Sequence, residues 1–456
     1  MAPSRSRSIT LTAVAVLLLA TAGLVGWLLR PNAPPQFAGL DGRIEKLIAS
    51  ISESRLERLL TTLVVFGTRH TYSDLSQGRG TAAAAQWIFD ELQRSSPRLQ
   101  VTFDTHQIRK GGLEAWGATT RARLIRDVEL RNVMAVLAGA SPRRIYVTAH
   151  FDSLNSPRPA DSTSAAEQKS QPQPDPNADA PGADDNASGT ALVMELARVF
   201  AESDIAFDAT LVFMASSGEE QGLVGARVHA ARARDAKIPI QAVFNNDIVG
   251  GISGADGIVD RGSVRVYSEG PEDSPSRALA EFTRRVASRY VPSHRVRLLA
   301  RRDRFGRSGD HSAFNLAGFA AVGFRESREN LQRQHNASDT VDRVSFPYLA
   351  QNARVNAAAV ASLALAPPPP RLGTLSRQPA GSDARLRWEA APDAARYRVV
   401  WREAWAPEWQ HESYVGNVTE HVLRGVLIDD SVIGVAAVGP RGHESTVSAW
   451  VAGAFR

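Results

Sequence analysis

The chain has 456 residues, 43% of them hydrophobic, with a formal charge of +5 and no cysteine. That is enough apolar material for two or three domains at roughly 150 residues each, and it excludes a chain disordered throughout. The absence of cysteine excludes a disulfide scaffold, a thiol nucleophile, an iron–sulfur cluster and any thiolate zinc site, so a metal here must be held by His, Asp and Glu. The basic residues are almost all Arg and are scattered along the chain, with Lys only at 46, 110, 169 and 237. This pattern does not describe a nucleic-acid surface, and no nucleic-acid partner is expected.

Arg5 and Arg7 precede an uncharged run from Ile9 to Leu29, which ends at Arg30 and the segment PNAPP. A basic start followed by an apolar run is an export signal. Ala20-Thr21-Ala22 suits a cleavage site, while the full run, residues 9–29, is also long enough to anchor the chain in a membrane. Either outcome places the remainder outside the cytoplasm, as a periplasmic, secreted or outward-facing anchored protein. Residues 1–30 are therefore set apart as a signal peptide or signal anchor.

Helical apolar spacing runs over Gly42 to Leu63, through Leu56, Leu59, Leu60 and Leu63, and again over Gly80 to Leu92. From Arg131 short apolar runs alternate with helical stretches: NVMAVLAG, RRIYVTAHFDS, a helix over Ala191 to Ala201, ATLVFMASSGEE, QAVFNNDIVGG and FAAVGFRES. This alternation predicts an α/β layer with a mixed, largely parallel sheet flanked by helices, in which ligands gather beyond the carboxyl ends of the strands. Residues 156–181, rich in Pro, Ser, Gln, Asp and Ala, are read as a mobile insertion. The prolines from Pro367 to Pro370 mark a stiff spacer over 366–372, closing a domain that spans 36–365. Beyond it, ARLRWEA, ARYRVVWREA, EHVLRGV and SVIGVAAVG are short strands between polar turns. The tail 373–456 resembles a fibronectin type III domain, a small all-β sandwich with Trp388, Tyr397, Val399 and Val432 to Val438 in its core.

Ionisable groups close four of the expected strands: His150 and Asp152 in AHFDS, Glu219 and Glu220 in SGEEQG, Asp247 in NNDIVG, and Glu326 in FRES. Loops add Asp184 and Asp185 in GADDNASG and His335 in QHNASDT. Singly, each has an ordinary explanation as a helix cap, a turn residue or a solvated charge. Their convergence on one sheet edge is what points to chemistry. Two zinc ions carry four positive charges, which three carboxylates and a hydroxide balance, and two neutral imidazoles complete the shells. One carboxylate must then bridge metals about 3.5–4 Å apart.

The ordered set His-x-Asp, GADDNASG, Gly-Glu-Glu-x-Gly-Leu, Asn-Asp before a turn, and His followed by Ser-Asp-Thr resembles the M28 family of zinc aminopeptidases, over roughly residues 45 to 365. RNVMAVLAG and the helix GTAAAAQWIFDEL fit the same pattern. The resemblance implies a zinc-exopeptidase-like fold and two Zn²⁺ per chain, in sites whose donor set also accepts cobalt or manganese. It implies that His150 and Asp247 hold one ion, Glu220 and His335 the other, and that Asp185 bridges, with Asp184 as the fallback. Glu219 would be the general base, and Asp152, two residues past His150 on the same strand face, would orient that imidazole. Asp310, His311 and Asp339 would support the ligands or line the pocket. The implied substrates are peptides with a free N-terminus; oligomeric state is not encoded in any of these motifs.

Three other readings compete. Glutaminyl cyclase shares the ligand types with a single zinc, but its additional acidic and Trp-bearing loops have no counterpart here. A non-catalytic binding ectodomain would be expected to lack ligands that this sequence keeps. Ser308, Asp310 and His311 suggest a serine hydrolase, but no G-x-S-x-G elbow accompanies them. No Walker loop, H-E-x-x-H helix or dinucleotide G-x-G-x-x-G is present.

Overall fold

A computed structural model describes residues 39–74, 78–156, 174–271, 273–377, 381 and 383–450. The expected export segment and residues 157–173 of the expected insertion lie outside the described residues. Among the described residues, no helix is long and apolar enough to cross a membrane.

The helical stretch expected over Gly42 to Leu63 is two helices, α1 (Gly42–Ala49) and α2 (Glu53–Val65). Asp41 caps the first by accepting the Arg43 N–H at 2.9 Å, and Ser52 caps the second by accepting the Arg55 N–H at 3.2 Å. The break has a tertiary cause as well, since the Ser52 N–H donates to the buried Glu195 carboxylate at 2.8 Å. The chain continues through α3 (Gly80–Ser95), β1 (Leu99–Ile108), the short α4 (Ala118–Arg123), β2 (Val128–Leu137), β3 (Ser141–His150), α5 (Gly189–Glu202), β4 (Ala209–Ser216), α6 (Val224–Asp235) and β5 (Ile240–Asn246). After these come β6 (Ser263–Ser268), α7 (Pro275–Tyr290), β7 (Arg295–Leu299), α8 (Asp310–Leu316), β8 (Ala321–Glu326) and α9 (Phe346–Ala364).

Eight strands form one sheet in the order β1-β2-β4-β3-β5-β8-β6-β7. The central four, β4, β3, β5 and β8, run parallel, while β1, β2 and β6 join by antiparallel pairings. The central strands are apolar on both faces because helices cover both. Ile145, Val147, Phe213, Phe244 and Phe324 point into the larger core, with Leu60, Ile88, Leu192, Phe200, Leu349 and Val360 from the helices. Their immediate neighbours Tyr146, Val212, Met214 and Val243 point the other way, onto Ala226 and Ala230 of α6 and Phe314 of α8. The chain leaves β3 for β4 on one side and then crosses to β5 on the other. This switch opens a crevice at the carboxyl ends of the three strands, where such sheets bind ligands.

The Pro-rich spacer ends one residue earlier than expected, because β9 (Leu372–Arg377) begins within it. With β10 (Ala384–Trp388), β11 (Arg396–Glu403), β12 (His411–Val415), β13 (Glu420–Leu423), β14 (Ser431–Val438) and β15 (Ser448–Trp450) it forms two antiparallel sheets, β13-β10-β9 and β12-β11-β14-β15. Trp388 and Tyr397 pack in the core with ring centres 5.3 Å apart. The module rests against α7: Arg285 reaches Glu412 at 3.1 Å and Glu444 at 3.2 Å, Arg284 pairs with Glu408, and His443 meets Asp41 at 3.0 Å.

At this contact, burial pushes the Glu281 carboxyl up to about 7, against the pull of Arg284 and Arg402. Because the folded-state value lies above the unfolded 4.5, the unfolded chain loses this proton first as pH rises. Glu281 therefore contributes a loss of stability between about pH 4.5 and 7, and none of further size above it. Denaturant titrations of the wild type and Glu281→Gln across that window are expected to show the slope in the former and its removal in the latter. Parallel curves would mean that Glu281 ionises alike in both states.

Candidate metal centre

Two donor groups stand at the carboxyl edge of the parallel strands. His150, Asp185 and Asp247 offer ligand atoms all within 4.8 Å of one another, and so do Asp185, Glu220 and His335. Asp185 belongs to both. Its Oδ1 lies 3.3 Å from His150 Nε2 and its Oδ2 lies 3.1 Å from His335 Nε2, so the two carboxylate oxygens face different imidazoles. Asp247 Oδ1 is 3.4 Å from His150 Nε2, and Glu220 Oε2 is 3.3 Å from His335 Nε2.

Strand register accounts for three of these positions. His150 is the last residue of β3, Asp247 directly follows β5, and Glu219 and Glu220 form the turn after β4. Asp185 sits in the irregular turn Ala183–Ser188 that leads into α5, and its peptide bond to Asn186 is cis. Asn186 ties this turn to the end of β5: its Nδ2 donates to the Asn246 carbonyl at 2.9 Å and its Oδ1 accepts the Gly189 N–H at 2.9 Å. Gly189 is needed for that approach, since a Cβ there would stand 2.3 Å from the Asn246 carbonyl oxygen. Asp184 turns away, accepting the Gly250 N–H at 2.8 Å beside Glu326, and belongs to neither donor group. Glu326, at the end of β8, accepts the Gly251 N–H at 2.5 Å.

Asp152 lies beside His150, as expected, and has a second role. The His150 Nδ1–H donates to the Asp152 backbone carbonyl at 3.1 Å, whereas the carboxylate is 3.6 Å from that nitrogen. The two carboxylate oxygens also accept the N–H groups of Glu219 at 3.2 Å and Glu220 at 3.1 Å. Asp152 thus fixes the turn that carries both glutamates. Asp339 does the same for the other loop, accepting the Asp184 N–H at 2.8 Å and the Asp185 N–H at 2.9 Å.

Asp310 and His311 are buried behind the site rather than facing the cavity. Asp310 accepts a hydrogen bond from Ser216, and His311 Nε2–H donates to the Arg302 carbonyl at 2.8 Å. Ser308, which does line the cavity, is hydrogen-bonded to neither of them, so the three do not assemble as a triad.

Sequence reasoning missed two arginines. Arg69, fully buried, donates to four carbonyls: Phe151 at 2.6 Å, Pro181 at 2.7 Å, Gly182 at 2.8 Å and Leu63 at 3.0 Å. It joins the end of α2, the loop after β3 and the approach to Asp185. Arg325, on β8, pairs with Asp247 at 2.6 Å and Asp303 at 3.3 Å. An arginine inside the apolar run FAAVGFRES was the available signal. The last part of the expected insertion is also tied down here: besides the Arg69 bonds, the Ala180 N–H donates to the Gly67 carbonyl at 2.8 Å.

Electrostatics describes a centre with an excess of negative charge. Burial pushes the Glu219 carboxyl up to about 8, helped by Asp247, Asp310 and Asp152, and pushes Glu220 well above the carboxylate range, helped by Asp185 and Glu219. Burial also opposes ionisation of Asp185, but the His150 and His335 imidazoles hold it well below that range. Glu220 Oε1 is buried with no hydrogen-bond partner. Three oxygen and two nitrogen donors, one orphaned carboxylate oxygen and a shared Asp185 fit a pair of divalent cations of the zinc type. The donors open onto a cavity of about 670 Å³ lined also by Glu219, Leu223, Phe305 and several arginines, which is room for a short peptide.

Comparison with known proteins agrees. The family model for peptidase family M28 matches residues 132–360. A probable zinc metalloprotease of Pyricularia oryzae is 35% identical over 448 residues, covering 89% of this chain and 84% of the relative. One from Pyrenophora tritici-repentis is 33% identical over 439 residues, covering 89% and 86%. Among solved structures, the LapA aminopeptidase of Legionella pneumophila superposes with a TM-score of 0.54 at 19% identity, over 74% of this chain and 78% of that one. The glutaminyl cyclase of Porphyromonas gingivalis reaches 0.50 at 15% identity, over 68% and 98%. These two share the fold. With a family model spanning half its length and relatives above 30% identity over nearly nine-tenths of it, the chain belongs to peptidase family M28.

Proposed function

We propose that the protein is an exported di-zinc aminopeptidase that hydrolyses the N-terminal peptide bond of peptides. The observation that carries this reading is the shared Asp185, whose two oxygens face two separate donor groups. One ion would be held by His150 and Asp247, the other by Glu220 and His335, with Asp185 between them. When bound, the zinc pair supplies Lewis acidity and lowers the pKa of a shared water.

The chain's own residues do the rest. Glu219, fixed by Asp152 through its backbone N–H, takes a proton from the attacking water and returns it to the leaving amine. Burial raises the Glu219 carboxyl above the ordinary carboxylate range, the direction that makes it a stronger base. Asp339 and Arg69 hold the Asp185 loop in register, and Arg325 holds Asp247. The uncharged run 9–29 supports export, with the signal either cleaved or kept as an anchor. The tail, with its fibronectin type III-like strand pattern, is read as an accessory module resting on α7.

Four substitutions test the assignment on protein lacking residues 1–30. Glu219→Gln is expected to keep two zincs per chain by elemental analysis while kcat on aminoacyl anilides falls about 10²–10⁴-fold. A variant retaining wild-type turnover would remove Glu219 as the base. Asp185→Asn should lose zinc from both positions, whereas Asp184→Asn should keep both; equal loss in the two would reject the assignment of the bridge. Asp339→Asn gives up one of two acceptors and should weaken zinc binding about 10–100-fold in competition with a chelator. One zinc per chain with cyclisation of N-terminal glutamine would replace the aminopeptidase reading by the cyclase.

A further inference from the structure

The cavity that holds the donor groups is also lined by arginines. Arg227 stands in the first turn of α6, directly after the turn that carries Glu219, and lines the same cavity. It is half-buried, and its guanidinium makes no hydrogen bond or ion pair with the described residues; its Nε is buried without a partner. Nearby, Glu329 is a single carboxylate shared by three guanidinium groups: Arg265 at 2.5 Å, Arg304 at 2.5 Å and Arg307 at 3.6 Å. Arg304 and Arg307 also line a neighbouring cavity of about 760 Å³, so the positive wall continues outward from the donor groups.

A half-buried guanidinium that is attracted by the buried Asp310 but hydrogen-bonded to none of the described residues keeps a desolvation cost that an anion in the cavity offsets. The carboxylates of the donor groups are already engaged with imidazoles and with Arg325. We infer that Arg227, which shares the cavity with Arg307, binds a carboxylate carried by the substrate within a residue of the scissile bond. The favoured substrates are then short acidic peptides. The carboxylate is either an Asp or Glu side chain or the C-terminus of a dipeptide, since the cavity admits both. This inference rests on the aminopeptidase reading and gives it a substrate class.

The test uses the zinc-loaded protein and three peptide pairs that differ by one charge: Asp-Ala-amide with Asn-Ala-amide, Ala-Asp-amide with Ala-Asn-amide, and Ala-Ala with Ala-Ala-amide. In at least one pair the carboxylate member should show kcat/KM higher by roughly 10-fold to 100-fold, mainly through KM. The pair that responds identifies the source of the carboxylate. Arg227→Gln should bring that ratio close to one, and Arg227→Lys, which keeps the charge, should restore part of it. Ratios close to one in all three pairs of the wild type overturn the inference while leaving the aminopeptidase reading intact. A preference that survives in Arg227→Gln and Arg307→Gln overturns it too. Release of no N-terminal residue from any peptide rejects the aminopeptidase reading, and this inference with it.

Discussion

Four carboxylates, those of Asp185, Glu219, Glu220 and Asp247, are held in one cleft with only two imidazoles among them. In a low-dielectric interior each charge costs several kcal/mol unless it is paired and hydrogen-bonded. The protein meets part of that cost with imidazoles and Arg325, and leaves part unmet, as the raised values of Glu219 and Glu220 show. Carboxylates gathered in this way favour divalent cations, and a cation bound among them displaces protons from those that burial holds protonated.

Holding like charges together requires supports that do not move, and these come from distant parts of the chain. Arg69 lies just beyond α2, yet its bonds end on the loops after β3 and before Asp185. Asp339 approaches from the far end of the domain, and Asn186 fastens the Asp185 turn to the end of β5. The packing of the N-terminal helices is therefore part of the site. Asp247 and the turn that carries Glu219 and Glu220 stand at the ends of strands buried on both faces, so they cannot shift without disturbing a close-packed core.

The alternation of apolar strands and helices was legible because both faces of the central sheet are covered, and so were the strand-end ligands, because they interrupt long apolar runs. The split between α1 and α2 was not, since it depends on Glu195 in a helix far along the chain. The second role of Asp152, holding the turn after β4, was hidden for a similar reason. Strand periodicity correctly put it on the His150 face, but which hydrogen-bond donors lie there depends on how the turn after β4 folds back. Strands β9, β12 and β15 escaped notice because their residues are largely half-buried or exposed and lack an apolar alternation. Arg69 and Arg325 sit among apolar neighbours, where only the tertiary structure shows what a buried guanidinium binds.

The acidic and basic residues of the cavity share one source and differ in another: Arg227 follows the turn that carries Glu219, whereas Arg304 and Arg307 come from beyond β7. The acidic wall comes from the ends of the parallel strands. Much of the basic wall comes from residues 304–307, in the segment that directly follows β7, a strand at the edge of the sheet. Edge strands are paired on one side only and are less constrained than central ones. Helix α7 packs on β7, and the module clamps α7 through Arg284 and Arg285. Among the described residues, none that lines either cavity belongs to the module. The module therefore meets the domain away from the cavity, at α7 and at Asp41, and α7 in turn packs on β6, β7 and β8.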